Sequence, residues 1–337
     1  MKTARLHGPG DLRLHDEPDP EPSAGEELVR VTSVGLCGSD RHWFLDAAIG
    51  ETRLDRPLVL GHEIAGVVET GPRQGQRVAL EPADPCGVCA TCRGGQDHLC
   101  PTTRFAGHGS VDGGLRGLMA WPAHLLVPLP DTIDDADAAL LEPLGVALHA
   151  LDLGKLSMDA SAAVIGCGPI GLLIIQVLAA RGCRQIAAVE PLEHRRVAAL
   201  ACGATTATPD MESGQEPVDV ALEVAGEDTA VAAAVEVVRP GGRVVLVGIP
   251  AGDVTTVPAA SARRKGLTIL VSRRMAAGDL ERAIELTASR RVRPGRLVTA
   301  RWSLDDAGKA FGELVERRGL KVVISPDGTA PSEPENV

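Results

Sequence analysis

Ala162-Ala163-Val164-Ile165, followed by Gly166-Cys167-Gly168-Pro169-Ile170-Gly171, is the stretch that decides the fold. Four apolar residues read as a buried strand, the glycines as a tight turn, and the apolar run on to Ala180 as a helix. In that context G-x-G-x-x-G is a dinucleotide fingerprint, because its glycines let the backbone approach a pyrophosphate held on the helix N-terminus. Gly166, Gly168, Pro169, Ile170 and Gly171 are therefore expected to bind the cofactor. A second strand, Gln185–Val189, ends in Glu190, about 20 residues after the last glycine, where a carboxylate bonds the adenosine ribose hydroxyls. Arg195 and Arg196 follow and pull toward a 2′-phosphate, but a carboxylate facing that phosphate costs several kcal/mol, so NAD ranks ahead of NADP.

Working outward, strands are expected at 218–223, 243–248 and 267–271, with a helix running to 238. Val247 and Gly248, closing the strand 243–248, are assigned to the cofactor as well. This is the βαβ rhythm of an α/β, doubly wound parallel sheet. An amphipathic helix is expected over 279–289, a further helix over 304–317 and a strand over 320–324, and the tail 325–337, rich in Pro, Ser and Glu, reads as disordered.

Residues 1 to about 143 have another texture, with short β-rich segments broken by Pro and Gly. Glu27 to Ser33 alternates apolar and polar, and Gly75 to Leu80 reads as a turn leading into a strand, together suggesting a small barrel or sandwich. Within this part lies Cys86-x2-Cys89-x2-Cys92-x7-Cys100. Four thiolates at these spacings wrap one tetrahedral zinc ion and leave no position open, so the site is structural. A denser cluster, Cys37-Gly38-Ser39-Asp40-Arg41-His42, combines a thiol, a hydroxyl, a carboxylate and an imidazole. Gly61-His62-Glu63 adds a second imidazole and carboxylate. Leu141-Glu142-Pro143-Leu144 sets an acid in an apolar helix, where a buried carboxylate needs a cation or metal.

Composition narrows the classes. At 337 residues two domains are expected, and a net charge of -11 argues against a nucleic-acid or anionic-membrane surface. Tyrosine is absent and there are 3 Phe and 3 Trp, so the core must be aliphatic and no tyrosine can serve as catalytic acid. The N-terminus shows no apolar signal and no run reaches membrane-spanning length, so a cytoplasmic protein is expected, its 8 cysteines serving metal or catalysis rather than disulfides.

Taken together, these motifs resemble, over about residues 1–325 and in the same order, the zinc-dependent medium-chain alcohol dehydrogenases, nearest the sorbitol, polyol and threonine dehydrogenase branch. The resemblance implies a GroES-like catalytic domain over 1–145 and 285–337 and a Rossmann domain over 146–284. It implies two zinc ions per chain, with Cys37, His62 and Glu142 matching the catalytic ligands and Glu63 a carboxylate that ligates or nearly ligates. Which of Glu63 and Glu142 binds directly differs among relatives. Asp40 matches an acceptor that orients His62, and Ser39 and His42 match a proton relay running through the cofactor ribose hydroxyls. Trp43 to Arg56 and Arg273-Arg274 are expected near the substrate. The implied reaction is oxidation of a secondary alcohol of a polyol, sugar or aminocyclitol by NAD. An amino-alcohol dehydrogenase of the threonine type and, remotely, a non-catalytic NAD- and zinc-binding sensor are the rivals. A homodimer or homotetramer is expected.

Overall fold

The computed structural model describes residues 1–157, 159–211, 216–250 and 252–326. The tail read as disordered lies outside them from 327 onward. Contacts divide the chain into two compact units, Met1–Glu142 with the segment from Leu280, and Pro143–Asp279.

The first unit opens with a hairpin, β1 (Lys2–Gly8) and β2 (Asp11–Asp16), to which the short strand Leu58–Val59 adds. Its main sheet is mixed and has seven strands. In chain order they are β3 (Glu26–Gly35), β4 (Glu63–Val68), β5 (Arg77–Leu80), β6 (Leu118–Pro122), β7 (Leu126–Pro128), β14 (Val298–Ser303) and β15 (Lys321–Ser325). Spatially they run β7-β5-β4-β3-β15-β14, with β6 also on β3. Two segments from opposite ends of the chain, β3 and β15, are therefore neighbours, while the pairing of β3 with β4, Gly35 opposite Glu63, brings Cys37 close to His62 and Glu63. Between β3 and β4 the chain forms helix α1 (Gly38–Asp46). The core is aliphatic as expected, with Val29, Val31, Leu58, Leu60, Ile64, Val78 and Leu80 buried; Trp43, Trp121 and Phe311 join them.

The second unit is a six-stranded parallel sheet. Its strands are β8 (Ser161–Ile165), β9 (Gln185–Val189), β10 (Thr206–Thr208), β11 (Val218–Glu223), β12 (Val238–Leu246) and β13 (Thr268–Val271). Their order, β10-β9-β8-β11-β12-β13, reverses direction at β8, the switch point where this architecture holds ligands. Helices α3 (Pro169–Ala180), α4 (Glu193–Ala201) and α5 (Asp228–Val237) connect them. Ala163, Ile165, Ala187, Val189, Ala221 and Val244 fill its core. Strand β12 begins at Val238, five positions before the expected start; Pro240-Gly241-Gly242 is absorbed at a register shift against β11. The chain crosses between the units in helix α2 (Leu141–Gly154) and returns at α6 (Asp279–Ala288).

Candidate active site

The Cys37 cluster is a helix start, which its polar composition conceals. Cys37 is the N-cap of α1, and its backbone N–H donates to Asp40 Oδ2 at 2.9 Å, the reciprocal half of a capping box. The other oxygen of Asp40, Oδ1, accepts the N–H of Gly61 at 3.2 Å. A wholly buried carboxylate thus ties the segment carrying Cys37 to the one carrying His62. Asp40 Oδ1 lies 3.8 Å from His62 Nδ1, too far for the orienting hydrogen bond expected of it, because both oxygens are committed to backbone donors. Ser39 and His42 fall three residues apart on α1 and so share one face, with His42 Nδ1 3.6 Å from Asp46.

Cys37, His62 and Glu63 present ligand atoms within 4.8 Å of one another. Thiol, imidazole and carboxylate are a donor set suited to zinc, so the chemistry of the site fits the ion. Burial opposes a charged His62, but Asp40, Cys37 and Glu142 outweigh it and hold the ring's pKa well above the usual histidine range. The surroundings call for a cation there. Glu63 is 1 % exposed and ion-paired with Lys321 on β15. Glu142 lies outside the 4.8 Å group but close by: burial pushes its carboxyl up to about 7, His62 and Lys321 draw it down, and Glu63 and Asp40 push it further up. Among the described residues Glu142 has no hydrogen-bond or ion-pair partner.

The four-cysteine loop closes as its spacing requires. Cys86, Cys89, Cys92 and Cys100 present their sulfurs within 4.8 Å of one another, with Cys89 and Cys92 3.4 Å apart and Cys86 and Cys92 4.0 Å apart. A tetrahedral zinc with bonds of about 2.3 Å sets its sulfurs about 3.8 Å apart, so this loop also fits the ion. Backbone N–H groups of Val88 and Cys89 lower the Cys86 thiol to about 6, while burial and its neighbour Cys89 push Cys92 up to about 12.

In the second unit the glycine turn is built for close approach. Gly166 has φ +96°, and a β-carbon on Gly171 would overlap the Gly166 carbonyl oxygen, so both must be glycine for α3 to start against β8. Gly168 is the open position: its nearest neighbour, Arg195 Nη1, would stand 3.8 Å from an added β-carbon. Pro169 and Ile170 form the first turn of α3. Glu190 sits at the end of β9, its carboxylate accepting the N–H of Cys167 at 2.8 Å and of Leu192 at 3.1 Å. Arg196 is spent on the carbonyls of Glu190 and Pro191, leaving Arg195 as the arginine beside the glycine turn. Val247 and Gly248 follow β12 and donate to the Glu223 carbonyl at 2.8 and 3.1 Å. Near the expected substrate segments, Trp43 is core, 1 % exposed and edge-on to His108, while Arg274 holds a left-handed φ of +58°.

The segment 23–131 matches the model of the alcohol dehydrogenase GroES-like domain, and 169–289 that of the zinc-binding dehydrogenases. Sorbitol dehydrogenase of Macaca fascicularis is 34 % identical over 340 residues, which cover 96 % of this chain and 95 % of that protein. The chain belongs to the zinc-binding alcohol dehydrogenases. D-xylulose reductase A of Aspergillus oryzae is 32 % identical over 95 % of both chains. The crystal structure of L-idonate 5-dehydrogenase from Escherichia coli superposes with a TM-score of 0.89 at 26 % identity, covering 96 % of this chain and 98 % of that one. The zinc-binding dehydrogenase is thus an NAD-linked oxidoreductase with a GroES-like and a Rossmann unit. Among the described residues no helix is long and apolar enough to cross a membrane. Sequence reasoning missed Lys321, Gly35 and the half-buried acid Glu81; each is ordinary in its local sequence and acquires meaning only through a partner far along the chain.

Proposed function

We propose that this dehydrogenase oxidises a secondary alcohol of a polyol, sugar or sugar acid to the ketone, with the catalytic zinc held by Cys37, His62 and the carboxylate pair Glu63 and Glu142. The observation that carries the reading is the convergence of Cys37, His62 and Glu63 beside an unpartnered, buried Glu142, apart from a second, closed set of four cysteines. The substrate class rests on relatives and neighbours that are named for sorbitol, xylulose and idonate. When bound, zinc would acidify the substrate hydroxyl, and NAD would accept the hydride. Ser39, in the first turn of α1, takes the hydroxyl proton at Oγ, and His42 on the same face passes it to solvent. Glu190 and the Gly166–Gly171 turn hold the dinucleotide, with Gly168 leaving room for its phosphates and Arg195 adding charge beside them. Val247 and Gly248 border the same cofactor.

The eight free thiols fit a reducing, cytoplasmic compartment. The edge strand β13, with Val271 77 % exposed, fits assembly into a homodimer or homotetramer, which light scattering on the purified protein tests. The substrate reading is tested by screening polyols, sugars, sugar acids, cyclitols and amino alcohols for NADH formation. Turnover of a polyol, sugar or sugar acid supports it; preference for an amino alcohol such as threonine contradicts it.

A further inference from the structure

The hairpin that opens the chain carries a pair of imidazoles outside both of the ligand groups described above. His7 on β1 and His15 on β2 are half-buried, and their Nε2 atoms stand 2.9 Å apart. The ring centroids are 5.1 Å apart, so the rings meet at their nitrogen tips. A β-bulge sets this up. Leu6 pairs with Leu12 and Gly8 with Asp11, which leaves His7 as the extra residue of β1, without a partner in the ladder. A bulge re-aims the side chain it carries, and here it turns His7 onto a residue that lies opposite Thr3, farther along the hairpin. The charges around the pair are already matched. Arg5 lies opposite Arg13, but Arg5 is bonded to Glu17 and Asp112, and Arg13 to Asp11 at 2.8 and 2.6 Å. Among the described residues the two imidazole rings have only each other as hydrogen-bond partners.

We propose that His7 and His15 form a further metal site, which takes a divalent transition ion of the kind that favours imidazole, such as nickel, copper or zinc. Bonds of about 2.0–2.1 Å set two nitrogens about 2.9 Å apart at a right angle and about 3.3 Å apart at the tetrahedral angle. The pair as it stands therefore offers two adjacent positions to a square or octahedral ion, and a slight opening suits a tetrahedral one. Entry of the ion replaces the N–H···N bond between the rings. The donor ring moves its proton from Nε2 to Nδ1, and both Nε2 lone pairs then face the metal. Burial first, and then Arg13 and His15, lower the pKa of His7, which favours the neutral ring that ligates. With only two protein ligands the site binds more weakly than the two larger ligand groups, and it fills from added metal.

The test is a calorimetric titration of the purified full-length protein, its resident zinc in place, with nickel chloride, followed by metal analysis. One nickel ion per chain is expected in addition to the resident zinc, and His7→Gln and His15→Gln each weaken its binding at least about tenfold with the zinc content unchanged. Absence of nickel uptake, uptake that displaces zinc one for one, or uptake that either variant keeps at wild-type affinity overturns the proposal. Should the variants fail to fold, modification of the wild-type histidines by diethyl pyrocarbonate, mapped by mass spectrometry, decides. Protection of His7 and His15 together by nickel supports the site, and undiminished modification of either overturns it.

Discussion

Asp40 carries no reacting atom, yet it accepts the N–H groups of Cys37 and Gly61 and so fixes where two ligand-bearing segments meet. Asp40→Ala leaves two buried donors unpaired and is expected to lower stability by about 2–4 kcal/mol and strip the catalytic zinc, read by denaturant unfolding and metal analysis. Retention of both zinc ions would show that the segments hold without the clamp. Glu81 makes a second residue-level case. Burial pushes its carboxyl up to about 8, and the Ala83 N–H only partly offsets this, while Glu142, Glu281 and Asp97 add to it. The folded pKa lies above the unfolded one, so folding takes up a proton, and stability falls as pH rises from about 4.5 to about 8. Glu81→Gln keeps the acceptor and removes the ionisation. It is therefore expected to raise the melting temperature by several degrees at pH 8 and to leave it nearly unchanged at pH 5. Equal shifts at both pH values would place the effect in packing instead.

Elements differ in how openly the sequence declares them. The parallel strands β8, β9 and β11 are buried on both faces and stand as short apolar runs, so their positions are readable directly; β9 and β11 have the expected ends. The two-residue strands Ala48–Ile49 and Leu58–Val59 have no such pattern, since a ladder of two pairs depends on its partner rather than its own composition. Helix α1 was concealed by its glycine, serine and aspartate, although Cys37-x-x-Asp40 has the spacing of a capping box. The metal site was legible as a set of residue types but not as a division of labour, because the Glu63–Lys321 pair joins β4 to the last strand of the chain. At the β8–α3 junction the fingerprint makes a firm demand. Gly171→Ala forces α3 away from the Gly166 carbonyl and is expected to weaken NAD binding at least tenfold in a fluorescence titration while both zinc ions stay bound. Wild-type affinity would mean that the turn is looser than its geometry. Glu190→Ala removes the acceptor of the Cys167 and Leu192 N–H groups, and it is expected to weaken NAD more than NADP in the same titration.

For the whole molecule, two candidate metal sites of different character share the first unit. One is a set of four thiols within residues 86–100 of a single loop; the other draws on three separate segments, held together by Asp40 and by the β4-β3-β15 sheet. The loop should keep its ion whenever the loop is folded, whereas the dispersed site should lose its ion when any one segment is disturbed. Metal analysis of the purified wild-type chain beside Cys37→Ser, with NADH formation recorded on the best alcohol substrate, separates the two. Two zinc ions are expected in the wild type, matching the two ligand groups, and one in Cys37→Ser, with oxidation abolished and the four-cysteine zinc retained. One zinc ion in both proteins, or undiminished oxidation by Cys37→Ser, would contradict it.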